Sequence, residues 1–200
     1  MKDSLPTESE ITALHKKHAP SEDVFKHVYN HCLAVTKIAE QIMAANDYDI
    51  DEELVKAGCM LHDIGTSILI QPEDQISVNY ANRGVAGAQV LKDEGLPKSL
   101  CDVVEHHVGH GLTAEHIKET YMPLPHRNLT PETTEERLVN YASKLHARID
   151  TPQFNSVESY RKFVTDIGNE YYITDFESLV KEFGEPDLSQ LAKELQQKLV

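Results

Sequence analysis

"AGCMLHDIG", residues 57–65, decides the fold of this 200-residue chain. Small and apolar side chains run from Ala57 to Leu61, and the run ends in an imidazole beside a carboxylate, His62 and Asp63. With Leu54 and Val55 upstream, the apolar residues surround nearly the whole circumference of a helix, the pattern of a central, buried rod. The spacing predicts a helix from about residue 52 into this stretch, with Gly65 ending it in a left-handed cap. His62 and Asp63 are then delivered to the interior. An ionised carboxylate placed there is costly unless a cation or several donors meet it.

Working outward, Ser21 followed by Glu22 and Asp23 caps a helix over about residues 22 to 44. Val24, Val28, Val35, Ile38 and Ile42 share one face of it; His31 falls inside that stripe and His27 at its margin. Further helices are expected over about 81–94, stopped by Gly95 and Pro97, and over about 99–107, stopped by Gly109 and Gly111. Leu100, Val103 and Val104 mark the inner face of the latter, and His107 continues it. A short helix begins near Thr113, a longer one covers about 134–148, and another about 156–167. "DFESLVKEFGEPDLSQLAKELQQKLV" reads as two helices broken by Gly184 and Pro186. No segment alternates at period two, so the fold class is all-α, a single-domain helical bundle with extra C-terminal helices. Residues 66–80 and 121–132 are long connections, and such loops often line sites.

The balance of 19 basic against 33 acidic residues leaves a net charge of −14, which repels phosphate backbones and anionic lipid surfaces. No basic patch offsets it, so a nucleic-acid polymer is not an expected partner. No apolar run approaches a membrane span and the first residues lack an apolar targeting segment, so a soluble, cytoplasmic chain without a membrane partner is expected. Cys32, Cys59 and Cys101 are odd in number and embedded among apolar residues, the pattern of reduced core thiols.

His31, His62, Asp63 and His107 thus all face the interior. Neutral imidazole and carboxylate together suit a divalent ion such as Zn, Mn, Fe, Co or Ni. The alternative is a hydrogen-bonded core pair of His62 and Asp63 without an ion. Outside this group, His15 and His18 lie on a polar stretch and read as solvated, while His116 and His126 have no evident partner.

"HCLAVTKIA" from His31, "KAGCMLHDIG", "GVAGAQVLKDEG", "VVEHHVG" and "PETTEERLVNYASKL" occur in that order. Together they resemble the HD-domain metal-dependent phosphohydrolase superfamily in its HDIG-motif branch. The resemblance spans about residues 20–150. It implies an N-terminal extension at 1–20, an HD domain at 21–150 and a C-terminal helical extension at 151–200 packed on the same domain. It also implies a mononuclear or binuclear centre of Mn, Fe, Co, Ni, Zn or Mg that activates water for attack on phosphate esters. Carried over by position, His31, His62 and Asp63 are metal ligands, and His107 assists substrate or a second metal.

Two departures bear on that implication. Ser143 stands where the family usually has the aspartate that completes the site, and Arg83 where a histidine is common. Asn140 and His146, one turn either side of Ser143 on the predicted helix, are candidates to replace the missing ligand. Arg83 suits the phosphoryl oxygens, His107 a donor to substrate, and Lys144 a further positive contact; the plain alternative for Arg83 and Lys144 is a surface salt bridge. Two functions are expected from this reading. One is hydrolysis of a small phosphorylated substrate, a nucleotide or phosphomonoester, at a depleted metal site. The other is a degenerate HD domain that binds metal, nucleotide or a protein partner without turnover. A homodimer is compatible with either.

Overall fold

The computed structural model describes residues 4–70, 80–148 and 151–200. Its helices are α1 (Glu8–His18), α2 (Glu22–Ala45), α3 (Glu52–Leu61), α4 (Ile64–Leu69), α5 (Arg83–Asp93), α6 (Lys98–His106) and α7 (Ala114–Glu119). They continue with α8 (Thr134–Lys144), α9 (Val157–Ile167), α10 (Glu170–Phe183) and α11 (Ser189–Glu194). A 3₁₀ turn at Tyr80–Asn82 precedes α5.

Local chemistry sets the helix starts. Thr7, Ser21, Asp51, Thr133, Ser156 and Asn169 each accept a hydrogen bond from a free backbone N–H of the first turn, so the orphan donors are satisfied. Thr7 and Glu10 form a full capping box. α3 is the central rod that its sequence requires: Val55, Cys59 and Leu61 are fully buried, and the helix packs against α2, α6 and α8. One core layer joins α2, α3 and α8 to Phe154, Val164, Phe176 and Phe183 of the C-terminal segment. A second joins α2, α3, α5 and α6.

The structure corrects four local expectations. The rod does not run to Gly65: α3 ends at Leu61, His62 and Asp63 form the corner, and α4 starts at Ile64. Gly65 is no left-handed cap but a contact point inside α4, where a Cβ would meet the carbonyl oxygen of Arg83 at 2.0 Å and the nitrogen of Gly87 at 2.5 Å. Only a residue without a side chain lets α4 and α5 approach this closely.

α8 stops at Lys144 rather than 148, and His146–Ala147 instead forms strand β1. β1 pairs antiparallel with β2 (Gln153–Phe154), which pairs in parallel with β3 (Lys198–Leu199). The all-α architecture therefore carries one three-stranded patch of two-residue strands, too short for a period-two pattern to register. His15 is buried, not solvated, with Nε2 2.7 Å from the carbonyl oxygen of Met60. Of the connection expected at 66–80, residues 66–69 belong to α4 and 71–79 lie outside the described residues. The three cysteines are free and buried, as expected. Among the described residues no helix is long and apolar enough to cross a membrane.

Candidate metal centre

The α3–α4 corner brings His62 and Asp63 against the middle of α2, where His31 projects from the apolar stripe. One ligand atom from each of His31, His62 and Asp63 lies within 4.8 Å of the others, and all three residues are buried. His31 Nε2 stands 3.2 Å from His62 Nε2 and 3.6 Å from Asp63 Oδ2. From the end of α6, His107 Nε2 comes within 3.5 Å of Asp63 Oδ1.

Each imidazole has its outer nitrogen held. Nδ1 of His62 is 2.7 Å from the carbonyl oxygen of Cys59, and Nδ1 of His107 is 2.7 Å from that of Val104. A carbonyl only accepts, so both rings carry their proton on Nδ1 and turn a bare Nε2 inward. In the neutral ring that makes His107 an acceptor, opposite to the donor role expected from sequence. Its Nε2 is buried and has no hydrogen-bond partner. Burial holds the three rings neutral: it lowers His62 to about 3, His31 well below its ordinary range and His107 below it. Converging bare nitrogens beside a carboxylate are a donor set suited to a divalent cation.

A second feature opposes that fit. Arg148 Nε donates to Asp63 Oδ2 at 2.8 Å, and Arg83 Nε to Asp63 Oδ1 at 3.1 Å. Thr66 Oγ1 also donates to Oδ1, at 3.1 Å. Burial would raise the Asp63 carboxyl, but the Arg148 and Arg83 guanidinium groups hold it well below the usual carboxylate range. The cation that the sequence demanded is thus supplied by guanidinium groups. Tyr80 lies between them, its ring 4.7 Å from the Arg83 guanidinium carbon and 5.5 Å from that of Arg148, and its hydroxyl accepts from Arg148. Arg148 escaped the sequence reading because its partner lies 85 positions upstream and α8 was expected to run through it.

A cleft of ≈ 540 Å³ opens beside this cluster, lined on the inner side by Arg83, His107, Ser143, Lys144 and His146. The outer wall comes from the C-terminal segment, with Gln153, Asn155, Tyr160 and Phe163. Neither Arg83 nor Lys144 is a surface salt bridge. Arg83 pairs with the buried Asp63, and Lys144 is itself buried, its Nζ donating to the carbonyl of Gly109 at 2.6 Å and to Asn140 Oδ1 at 2.7 Å. Burial lowers the Lys144 ammonium to about 7.

The two proposed replacement ligands part company. Asn140 is committed to structure, its Nδ2 donating to the carbonyls of His107 and Gly109 at 2.8 and 3.1 Å. His146, outside the helix, sets its Nδ1 2.7 Å from Nδ1 of His31, behind that ring rather than at the centre. Ser143 Oγ donates to the Asn140 carbonyl at 2.8 Å and faces the cleft. His110 joins the outer wall to the body of the domain: its Nδ1 meets Asp175 at 3.0 Å and its Nε2 the Tyr160 hydroxyl at 3.3 Å.

Comparison with known proteins agrees with this architecture. The chain is 35% identical over 123 residues to an uncharacterised protein of Methanocaldococcus jannaschii, covering 66% of that protein. It is 32% identical over 161 residues to a tRNA (cytidine(56)-2'-O)-methyltransferase of Thermoplasma volcanium and 30% identical over 141 residues to that of Picrophilus torridus. It spans 42% and 36% of those two longer proteins. The crystal structure of the HD domain of the L. monocytogenes phosphodiesterase PgpH superposes with a TM-score of 0.52 at 16% identity, covering 85% of this chain and 94% of that one. The same domain in complex with cyclic-di-AMP gives 0.54 at 18% identity, covering 94% and 98%. The HD-domain profile matches residues 28–148, and the chain belongs to the HD-domain family.

Proposed function

We propose that this chain is a metal-dependent phosphohydrolase acting on a small phosphorylated substrate, a nucleotide or a phosphomonoester. The observation that carries the reading is the convergence of His31, His62 and Asp63 within 4.8 Å beside a cleft whose inner side holds Arg83, His107 and Lys144. His31, His62 and Asp63 would hold the ion, which when bound supplies a polarised water and charge neutralisation at phosphorus.

The chain's own residues do the rest. Arg83, freed from Asp63 by the ion, offers its planar N–H fork to phosphoryl oxygens. Neutral His107 takes up a proton at Nε2. Lys144, poised between its two forms near neutral pH, gains full charge when an anion enters. The net charge of −14 keeps polymeric nucleic acid outside the proposal, although two relatives are named for acting on tRNA.

A second reading rests on its own observation. Arg83 and Arg148 already neutralise Asp63, and Ser143 offers no carboxylate, which favours an HD domain that binds a phosphorylated ligand without turnover. Metal analysis of purified protein separates the two, followed by phosphate release from a panel of nucleotides and phosphomonoesters with added Mn, Co, Ni or Mg. Release that depends on the metal and is abolished by Asp63→Ala supports hydrolysis. No release under any metal, with retained binding of a phosphorylated ligand, supports the second reading.

A further inference from the structure

The inner nitrogens of His62 and His107 are bare because main-chain carbonyls hold their outer protons. His31 has no carbonyl behind it. Its Nδ1 instead faces Nδ1 of His146 at 2.7 Å, and Nε2 of His146 faces Oε1 of Gln197 at 2.7 Å. An amide oxygen only accepts, so His146 carries its proton on Nε2. An imidazole whose one proton sits on Nε2 has only a lone pair at Nδ1, so in the 2.7 Å contact Nδ1 of His146 accepts and Nδ1 of His31 donates. That leaves Nε2 of His31 bare, 3.2 Å from the equally bare Nε2 of His62 and 3.6 Å from Asp63 Oδ2, a set of facing lone pairs that a cation would relieve.

Gln197 is brought there by the three-stranded patch. His146 lies opposite Phe154, Phe154 opposite Leu199, and the last strand is tied by hydrogen bonds between Ser156 N and Val200 O and between Val200 N and Phe154 O. The Phe154 ring also packs against His146, 5.0 Å between centroids. Both Phe154 and Gln197 lie beyond the stretch matched to the HD domain.

We propose that His146 and Gln197 are positioning residues that set the tautomer of His31, so that the C-terminal strand prepares the third imidazole for a divalent cation. The inference rests on the metal reading for its purpose, and on the hydrogen-bond chain alone for its content. Outer partners of this kind are worth about 10- to 100-fold in metal affinity.

The test uses the full chain, metal-free, as wild type and as Gln197→Leu, Gln197→Glu, His146→Leu and His146→Gln, each checked for folding by circular dichroism. Ring-nitrogen NMR should place the His31 proton on Nδ1 in wild type and shift it toward Nε2 in His146→Leu. Titration with Co²⁺ should show affinity reduced about 10- to 100-fold in Gln197→Leu and His146→Leu. Gln197→Glu, which still accepts, and His146→Gln, whose amide oxygen can accept from His31, should recover most of it. A His31 proton on Nε2 in wild type overturns the proposal. So does unchanged Co²⁺ affinity in both leucine variants. Failure of wild type to take up Co²⁺ at all overturns the metal reading instead, and the NMR spectrum then decides the tautomer by itself.

Discussion

Nε of Arg148 lies 2.8 Å from Oδ2 of Asp63, inside the domain and next to the group that could hold a metal. The same carboxylate cannot serve a guanidinium and a divalent ion equally, so the pair is both a support of the fold and a competitor of the ion. Arg148→Met should destabilise the metal-free protein by about 3 kcal/mol in urea unfolding, because one partner of a buried pair is lost. The same variant should bind Co²⁺ more tightly than wild type by calorimetry. Weaker binding would show that Arg148 aids the ion.

Acid should unfold the metal-free protein early. His62 is lowered by burial from 6.5 to about 3, so between those values the unfolded chain binds a proton that the folded chain does not. The stabilisation is complete above pH 6.5 and is lost progressively as the pH falls toward 3; His31 and His107 act in the same direction. Unfolding free energy measured from pH 7 to 4.5 should fall by several kcal/mol, and His62→Gln should flatten the slope. Asp63 adds to the loss only at lower pH, because its unfolded value is 3.8.

Lys144 titrates elsewhere. Burial lowers it from 10.5 to about 7, so the folded chain holds fewer protons than the unfolded chain between those values and stability rises with pH across that window. A neutral amine still donates both of its bonds, to Gly109 and Asn140. The stability of wild type relative to Lys144→Met should therefore grow from pH 7 to pH 9.5 in denaturant titrations. A difference independent of pH would show that the amine stays charged in the fold.

Gly65→Ala should be among the most damaging single changes in the chain. Its Cβ would collide with backbone, the carbonyl oxygen of Arg83 and the nitrogen of Gly87, and backbone cannot turn aside as a side chain can. Separating α4 from α5 should cost about 3 kcal/mol or more, read as a lowered melting temperature.

Ser143→Asp restores a carboxylate to the cleft wall, beside Arg83 and Lys144. Metal occupancy after purification should rise, and phosphate release with it. A fall in occupancy would show that position 143 does not face the ion.

Local sequence was enough for the buried α3, for the apolar stripe of α2 that carries His31, and for the N-cap at Ser21, because these depend on neighbours within a turn or two. The same local logic placed His62 and Asp63 in the interior and anticipated that the carboxylate would need a cation. It missed Arg148, Gln197 and the corner at His62–Asp63. The Arg148–Asp63 and His146–Gln197 bonds join residues 85 and 51 positions apart, and a two-residue strand leaves no pattern to read. What the amino-acid order determined by itself was the burial of α3 and of one face of α2, with His31, His62 and Asp63 among the buried groups; it misplaced His15. Which cation reaches Asp63, and which nitrogen of His31 is bare, was decided by the packing of α4 against α5 and by the return of the C-terminal strand, since both depend on distances that only the folded chain brings about.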